Sequence, residues 1–66
     1  MEIKLNGETR QVTEGTTITQ LLELLAIDNR NLAVEYNGDF VEDDALGATT
    51  LQAGDTLEIV RFVGGG

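Results

Sequence analysis

Only one stretch of this sequence carries the spacing of a helix, and it constrains how everything around it can fold. Ile18, Leu21, Leu22 and Leu25 fall at i, i+3, i+4 and i+7, so they line one face of an amphipathic helix. Thr17 stands where an N-cap side chain is needed, and Gln20, three residues on, can reach back to it in the reciprocal arrangement of a capping box. Leu24 and Ile27 widen the apolar face, and Asp28-Asn29 offers a stop before Arg30 and Asn31. With 66 residues and one helix, the chain has a single economical way to bury that stripe, which is against a sheet built from the rest of the sequence. The leucines are therefore read as core and not as a membrane or partner-helix surface.

The remaining segments have the two-residue period of strands. Met1, Ile3 and Leu5 alternate with Glu2 and Lys4, and Asn6-Gly7 follows, a pair that tolerates the positive φ of a tight hairpin turn. The returning strand is expected over Glu8 to Val12, polar as an edge strand is. After the helix, Leu32, Val34 and Tyr36 share one side of a strand with Ala33 and Glu35 on the other; Asn37-Gly38 then turns the chain into the short strand Asp39-Phe40-Val41. Glu42-Asp43-Asp44 enters an irregular stretch through Leu46 and Gly47; the acids lack the ligand spacing of a calcium loop and are read as a solvated turn. Leu51 anchors a turn in which Gly54 takes a conformation that side chains resist. Thr56 to Val63 is the last strand, with Leu57 and Ile59 toward the helix and Glu58 and Val60 on the opposite face. Val60, Phe62 and Ala33 then form a candidate docking patch on the outer side of the sheet. The order of elements gives an α+β fold, a mixed sheet of about five strands wrapped across one main helix with the first and last strands side by side in the middle. That is the ubiquitin-like β-grasp.

Composition bears on what such a domain can do. There is no cysteine and no histidine, which removes disulfides, the usual zinc and haem ligands, and thiol or histidine-based catalysis. Serine is absent too, so the expectation is a protein with no catalytic residue of its own and no bound metal or cofactor. Twelve acidic residues against four basic ones give a formal net charge of −8, which repels nucleic acid and anionic lipid and suits a basic protein surface; it also suits a domain that simply stays soluble. No signal-peptide pattern opens the sequence and no apolar run is long enough to span a membrane, so a cytoplasmic protein is expected.

Beyond residues 1–62, which the strands and helix account for, lies a tail at 63–66: Val63-Gly64-Gly65-Gly66. Glycines without Cβ atoms neither pack nor favour one backbone shape, and they leave the final carboxylate approachable from every side. Such a tail is either a loose end or the working part.

Met1-Glu2-Ile3-Lys4-Leu5-Asn6-Gly7, Thr17-Ile18-Thr19-Gln20-Leu21-Leu22, Ala33-Val34-Glu35-Tyr36-Asn37-Gly38, Leu51-Gln52-Ala53-Gly54-Asp55 and Ile59-Val60-Arg61-Phe62-Val63-Gly64-Gly65-Gly66, in that order, resemble the small sulfur-carrier proteins of thiamine biosynthesis, the ThiS-like family, over essentially the whole chain. The resemblance implies that Gly66 is the reactive residue and Gly64 and Gly65 give it reach. A partner adenylating enzyme, using ATP and magnesium, would activate the Gly66 carboxylate. A cysteine desulfurase or related donor would supply sulfur, leaving a thiocarboxylate for thiazole synthase. Where many members carry a Pro-Arg pair after the short strand, this sequence has Glu42-Asp43, so the resemblance brings no contact by that arginine. The same tail chemistry serves the small subunit of molybdopterin synthase, and a protein-conjugating modifier is an option of a different class. A nucleotide-sensing or RNA-associated β-grasp module fits less well, since it needs no free diglycine and net acidity opposes RNA.

Overall fold

A computed structural model describes residues 1–28 and 30–62. The strands are β1 (Glu2–Leu5), β2 (Glu8–Gln11), β3 (Leu32–Tyr36), β4 (Asp39–Val41) and β5 (Thr56–Arg61), with one helix, α1 (Ile18–Leu24), and a 3₁₀ turn over Asp43–Ala45. The sheet order is β2-β1-β5-β3-β4. β1 and β5 run parallel at the centre, and the other neighbours are antiparallel, which is the β-grasp arrangement expected.

Each hairpin is closed by its Asn-Gly pair. Asn6 and Gly7 have φ of 50° and 82°, Asn37 and Gly38 have 51° and 92°, the two positive values a right-twisted two-residue hairpin demands. These turns fix Leu5 opposite Glu8 and Tyr36 opposite Asp39, and so decide which face every residue of both hairpins takes. β2 is exposed along its length, an edge blunted by Glu8 and Arg10. The regular strand stops at Gln11, one residue short of the expected end, although Val12 still exchanges hydrogen bonds with Met1 at 2.8 and 2.7 Å.

The helix starts as its sequence prescribes. Thr17 Oγ1 accepts from the Gln20 N–H at 3.2 Å, and Gln20 Oε1 accepts from the Thr17 N–H at 2.9 Å. Its end differs from the expected stop at Asp28-Asn29. The helix closes at Leu24 with the Ala26 N–H on the Glu23 carbonyl and the Ile27 N–H on the Leu22 carbonyl, a Schellman motif. Ala26 sits there at φ 56°, where glycine is the usual occupant, so no glycine marked the stop in the sequence. Ile27 folds back onto the core, as expected of it, whereas Leu24 is 75% exposed and does not widen the apolar face.

The core is Ile3 and Leu5 of β1, Ile18, Leu21 and Leu22 of α1, Val34 of β3, Leu57 of β5, and Leu46 and Leu51 from the long connection. Leu46, which no periodicity singled out, is buried because the 3₁₀ turn brings the connection back beneath the helix start; Thr19 N–H then meets the Leu46 carbonyl at 3.3 Å. That connection is tied further by Ile18 N–H to the Thr49 carbonyl and Leu51 N–H to the Thr16 carbonyl. No described helix is long and apolar enough to cross a membrane.

Candidate functional site

The alternation of β5 divides the sheet into two sides. Leu57 is fully buried and Ile59 packs on the core, while Glu58 and Val60 stand on the far side, as the sequence implies. β5 ends at Arg61, and Phe62 lies past it; Val63, where the strand was expected to end, lies outside the described residues.

Of the residues expected to dock a partner, Val60 is 48% and Phe62 57% exposed, and half-buried Ala33 is the register partner of Val60 across β3. The three therefore share the outer face. The Phe62 N–H donates to the Asn31 carbonyl at 2.7 Å, which continues the β5 pairing one residue past the strand. Gly64, Gly65 and Gly66 lie outside the described residues.

The structure adds a fourth apolar residue to this face. Phe40, 74% exposed, is opposite Glu35 in the β3–β4 register, and Glu35 is opposite Glu58. One row across the sheet thus reads Phe40, Glu35, Glu58, and the next reads Ala33, Val60. The signal for Phe40 was present in the second Asn-Gly turn. A two-residue hairpin pairs Tyr36 with Asp39, hence Glu35 with Phe40, and places both on the side away from the helix.

Several polar groups hold β5 in place beneath this face. The parallel β1–β5 ladder comprises only Lys4 with Thr56 and Leu5 with Leu57, because β1 turns at Asn6. The Asn6 side chain continues it: Oδ1 accepts from the Ile59 N–H at 2.7 Å and Nδ2 donates to the Ile59 carbonyl at 3.4 Å. From the other hairpin, Asn37 Oδ1 accepts from the Thr56 N–H at 2.8 Å. Both turn asparagines thereby bind the last strand, a second use that turn statistics do not announce.

Asp55, only 8% exposed, sits at the entry to β5. Its carboxylate accepts from Tyr36 Oη at 2.6 Å, the Gln52 N–H at 2.7 Å and Asn37 Nδ2 at 3.2 Å. Burial opposes its ionisation, but the bonds from Tyr36, Gln52 and Asn37 outweigh that and hold it below the usual carboxylate range. The same bond, with burial and the neighbouring charge, raises the Tyr36 phenol. Near the root of the tail, Arg30 Nε and Nη2 both donate to Asp28 Oδ2, at 2.9 and 2.7 Å. These are structural arrangements.

Comparison with known proteins agrees with this architecture. The thiamine biosynthesis protein (ThiS) of Geobacter metallireducens superposes with a TM-score of 0.85 at 36% identity, covering 100% of both chains. SAMP1 of Haloferax volcanii, at 22% identity and a TM-score of 0.63 over 98% of this chain and 97% of its own, shares the fold. A thiazole synthase of Paramagnetospirillum magneticum is 39% identical over all 66 residues, which span 20% of that protein's length. The ThiS family model matches residues 3–66, and the chain belongs to the ThiS family.

Proposed function

We propose that this chain is a sulfur carrier for the thiazole ring in thiamine biosynthesis. The observation that carries the reading is family membership over residues 3–66, a span that takes in the three glycines. The likeness to a protein named thiazole synthase supports thiazole as the destination of the sulfur in preference to a pterin.

In this reading Gly66 is the terminal residue and its carboxylate the reacting group. A carboxylate is a poor electrophile, since its charge repels nucleophiles. A partner adenylating enzyme joins it to AMP, consuming ATP with magnesium and releasing pyrophosphate. The persulfide of a cysteine desulfurase or related donor then attacks the acyl carbon through its outer sulfur and the C–O bond to AMP breaks; a second thiol cleaves the resulting acyl disulfide, ends in a disulfide with the donor cysteine, and releases the thiocarboxylate for thiazole synthase. The catalytic groups belong to the partners, and this chain is their co-substrate. Gly64 and Gly65 let the tail enter a narrow channel, where a Cβ would hinder approach to the carbonyl. Ordering each tail residue costs roughly 1–2 kcal/mol of backbone entropy, which contacts by Val60, Phe62 and Ala33 with the partner offset.

The test is the intact mass of the protein after incubation with ATP, magnesium, a desulfurase with cysteine, a thiol reductant, and the adenylating enzyme of the same organism. Replacement of one C-terminal oxygen by sulfur is expected. An unchanged mass with an enzyme set that loads another ThiS protein would refute the reading.

A further inference from the structure

The outer face places two carboxylates where a sheet favours opposite charges. Glu35 and Glu58 are direct register partners across β3 and β5, and like charges so placed, with Cβ atoms about 5 Å apart, repel. Lys4, opposite Thr56 and so one position along the same face, makes no ion pair with either; among the described residues the ion pair within 4.0 Å is Asp28–Arg30. Phe40 flanks the pair on one side, and the Ala33–Val60 row follows about 7 Å along the strands. Carboxylates hemmed by exposed apolar residues gain strength as a recognition element when a partner excludes water from them.

The position of this row limits what can cover it. In the sulfur-carrier reading the partner grips the Gly66 carboxylate, four residues or at most about 14 Å beyond Phe62, and the Glu35–Glu58 row lies four residues, about 13 Å, back along β5 from Phe62, so a partner that holds the tail and follows β5 covers this row. A second copy of the chain is disfavoured by its formal net charge of −8.

Building on the sulfur-carrier reading, we propose that Glu35 and Glu58 together seat one arginine side chain of the adenylating partner. The guanidinium bridges the two carboxylates and lies against the Phe40 ring, while Val60 and Phe62 meet apolar surface around it. Arginine fits where lysine does not, because its planar fork of five donors can serve both carboxylates and its face stacks on an aromatic ring.

The experiment replaces both acids with their neutral isosteres, Glu35→Gln with Glu58→Gln, and follows folding, affinity for the adenylating enzyme at several salt concentrations, and the rate of tail adenylation by pyrophosphate release. Thermal stability is expected to hold or rise, since a repulsive pair is removed. Binding weakens at least about tenfold, its salt dependence becomes shallower, and the loss appears in KM with kcat retained. Glu58→Gln alone shows the same pattern at a smaller amplitude. Unchanged KM and salt dependence would overturn the proposal, and so would a fall in stability in both variants, which would make the pair structural. A wild-type dimer in sedimentation that the double variant dissociates would overturn it in favour of a second copy. Failure of the wild-type chain to be adenylated at all refutes the carrier reading; wild-type loading with unaltered kinetics in the variants refutes only the seat.

Discussion

Replacing Asn6 with glycine separates two jobs that one residue performs. Glycine meets the backbone requirement at φ 50° at least as well as asparagine, so the hairpin itself is preserved. What disappears is the side-chain rung to Ile59. The 2.7 Å bond from the Ile59 N–H contributes about 0.5–1.5 kcal/mol net, and the 3.4 Å bond to its carbonyl adds little. The greater freedom of glycine in the unfolded chain adds roughly 0.5–1 kcal/mol. The sum is about 1–2.5 kcal/mol. Set against a total of roughly 3–10 kcal/mol for a 66-residue domain, that is a large fraction, and it lowers Tm by about 4–20 °C.

The assay is urea unfolding together with amide hydrogen exchange at Ile59. Asn6→Asp is the informative companion, because a carboxylate oxygen can still accept from the Ile59 N–H while the weaker donation is lost. The expected order of stability is wild type, then Asn6→Asp, then Asn6→Gly, with loss of protection at Ile59 only in the glycine variant. A glycine variant as stable as wild type, with Ile59 still protected, would show that Asn6 serves only the turn and that the parallel ladder does not need its third rung.

Other expectations follow from particular contacts. Ala26→Gly relieves an alanine held at φ 56° and is expected to stabilise the domain by about 0.5–1 kcal/mol in denaturant titrations, whereas Ala26→Val destabilises it. Asp55 has a folded-state pKa depressed below its unfolded value near 4, so its contribution is fully present above that value and is lost as pH falls through the folded pKa; Asp55→Asn is expected to cost ~1–3 kcal/mol at neutral pH and to flatten the decline in stability below about pH 4. Phe62→Asp is expected to leave circular dichroism and Tm near wild type while weakening partner binding. Leu22→Asp, buried in the core, unfolds the domain, and equal loss of folding in both would remove Phe62 from the docking face.

Much of the fold was legible because its signals are local. The two Asn-Gly pairs, the Thr17–Gln20 box and the alternation of Leu57 to Val60 each need only a few neighbouring residues to take effect, and each does what its spacing implies. Signals that depend on distant chain segments were not legible. Leu46 is buried only because the connection returns under α1, and the asparagine rungs exist only once β5 lies between the hairpins. Leu24 is a different case: at about 100° per residue it stands off the stripe of Ile18, Leu21, Leu22 and Leu25, so its exposure was legible from helix geometry. Phe40 falls between these cases: the turn that precedes it fixes its face, but its neighbours in space come from β3 and β5.

This distribution explains how a small domain can keep an exposed apolar face without losing its fold. The groups that hold β5 in place, Asn6, Asn37 and Asp55, act along strand ends and turn backbones, and the apolar contacts that stabilise it lie on the helix side. Neither set draws on Val60, Phe62, Phe40 or the two glutamates. The outer face is therefore free to change at little cost to stability, whereas β5, which carries the register of that face and leads into the tail, is held from both neighbouring hairpins. A substitution that loosens β5 should for that reason impair docking even when every outer-face residue is intact. Such an effect would appear in Asn6→Gly as weaker binding that parallels lost protection at Ile59, and its absence would mean that the face is recognised by composition alone.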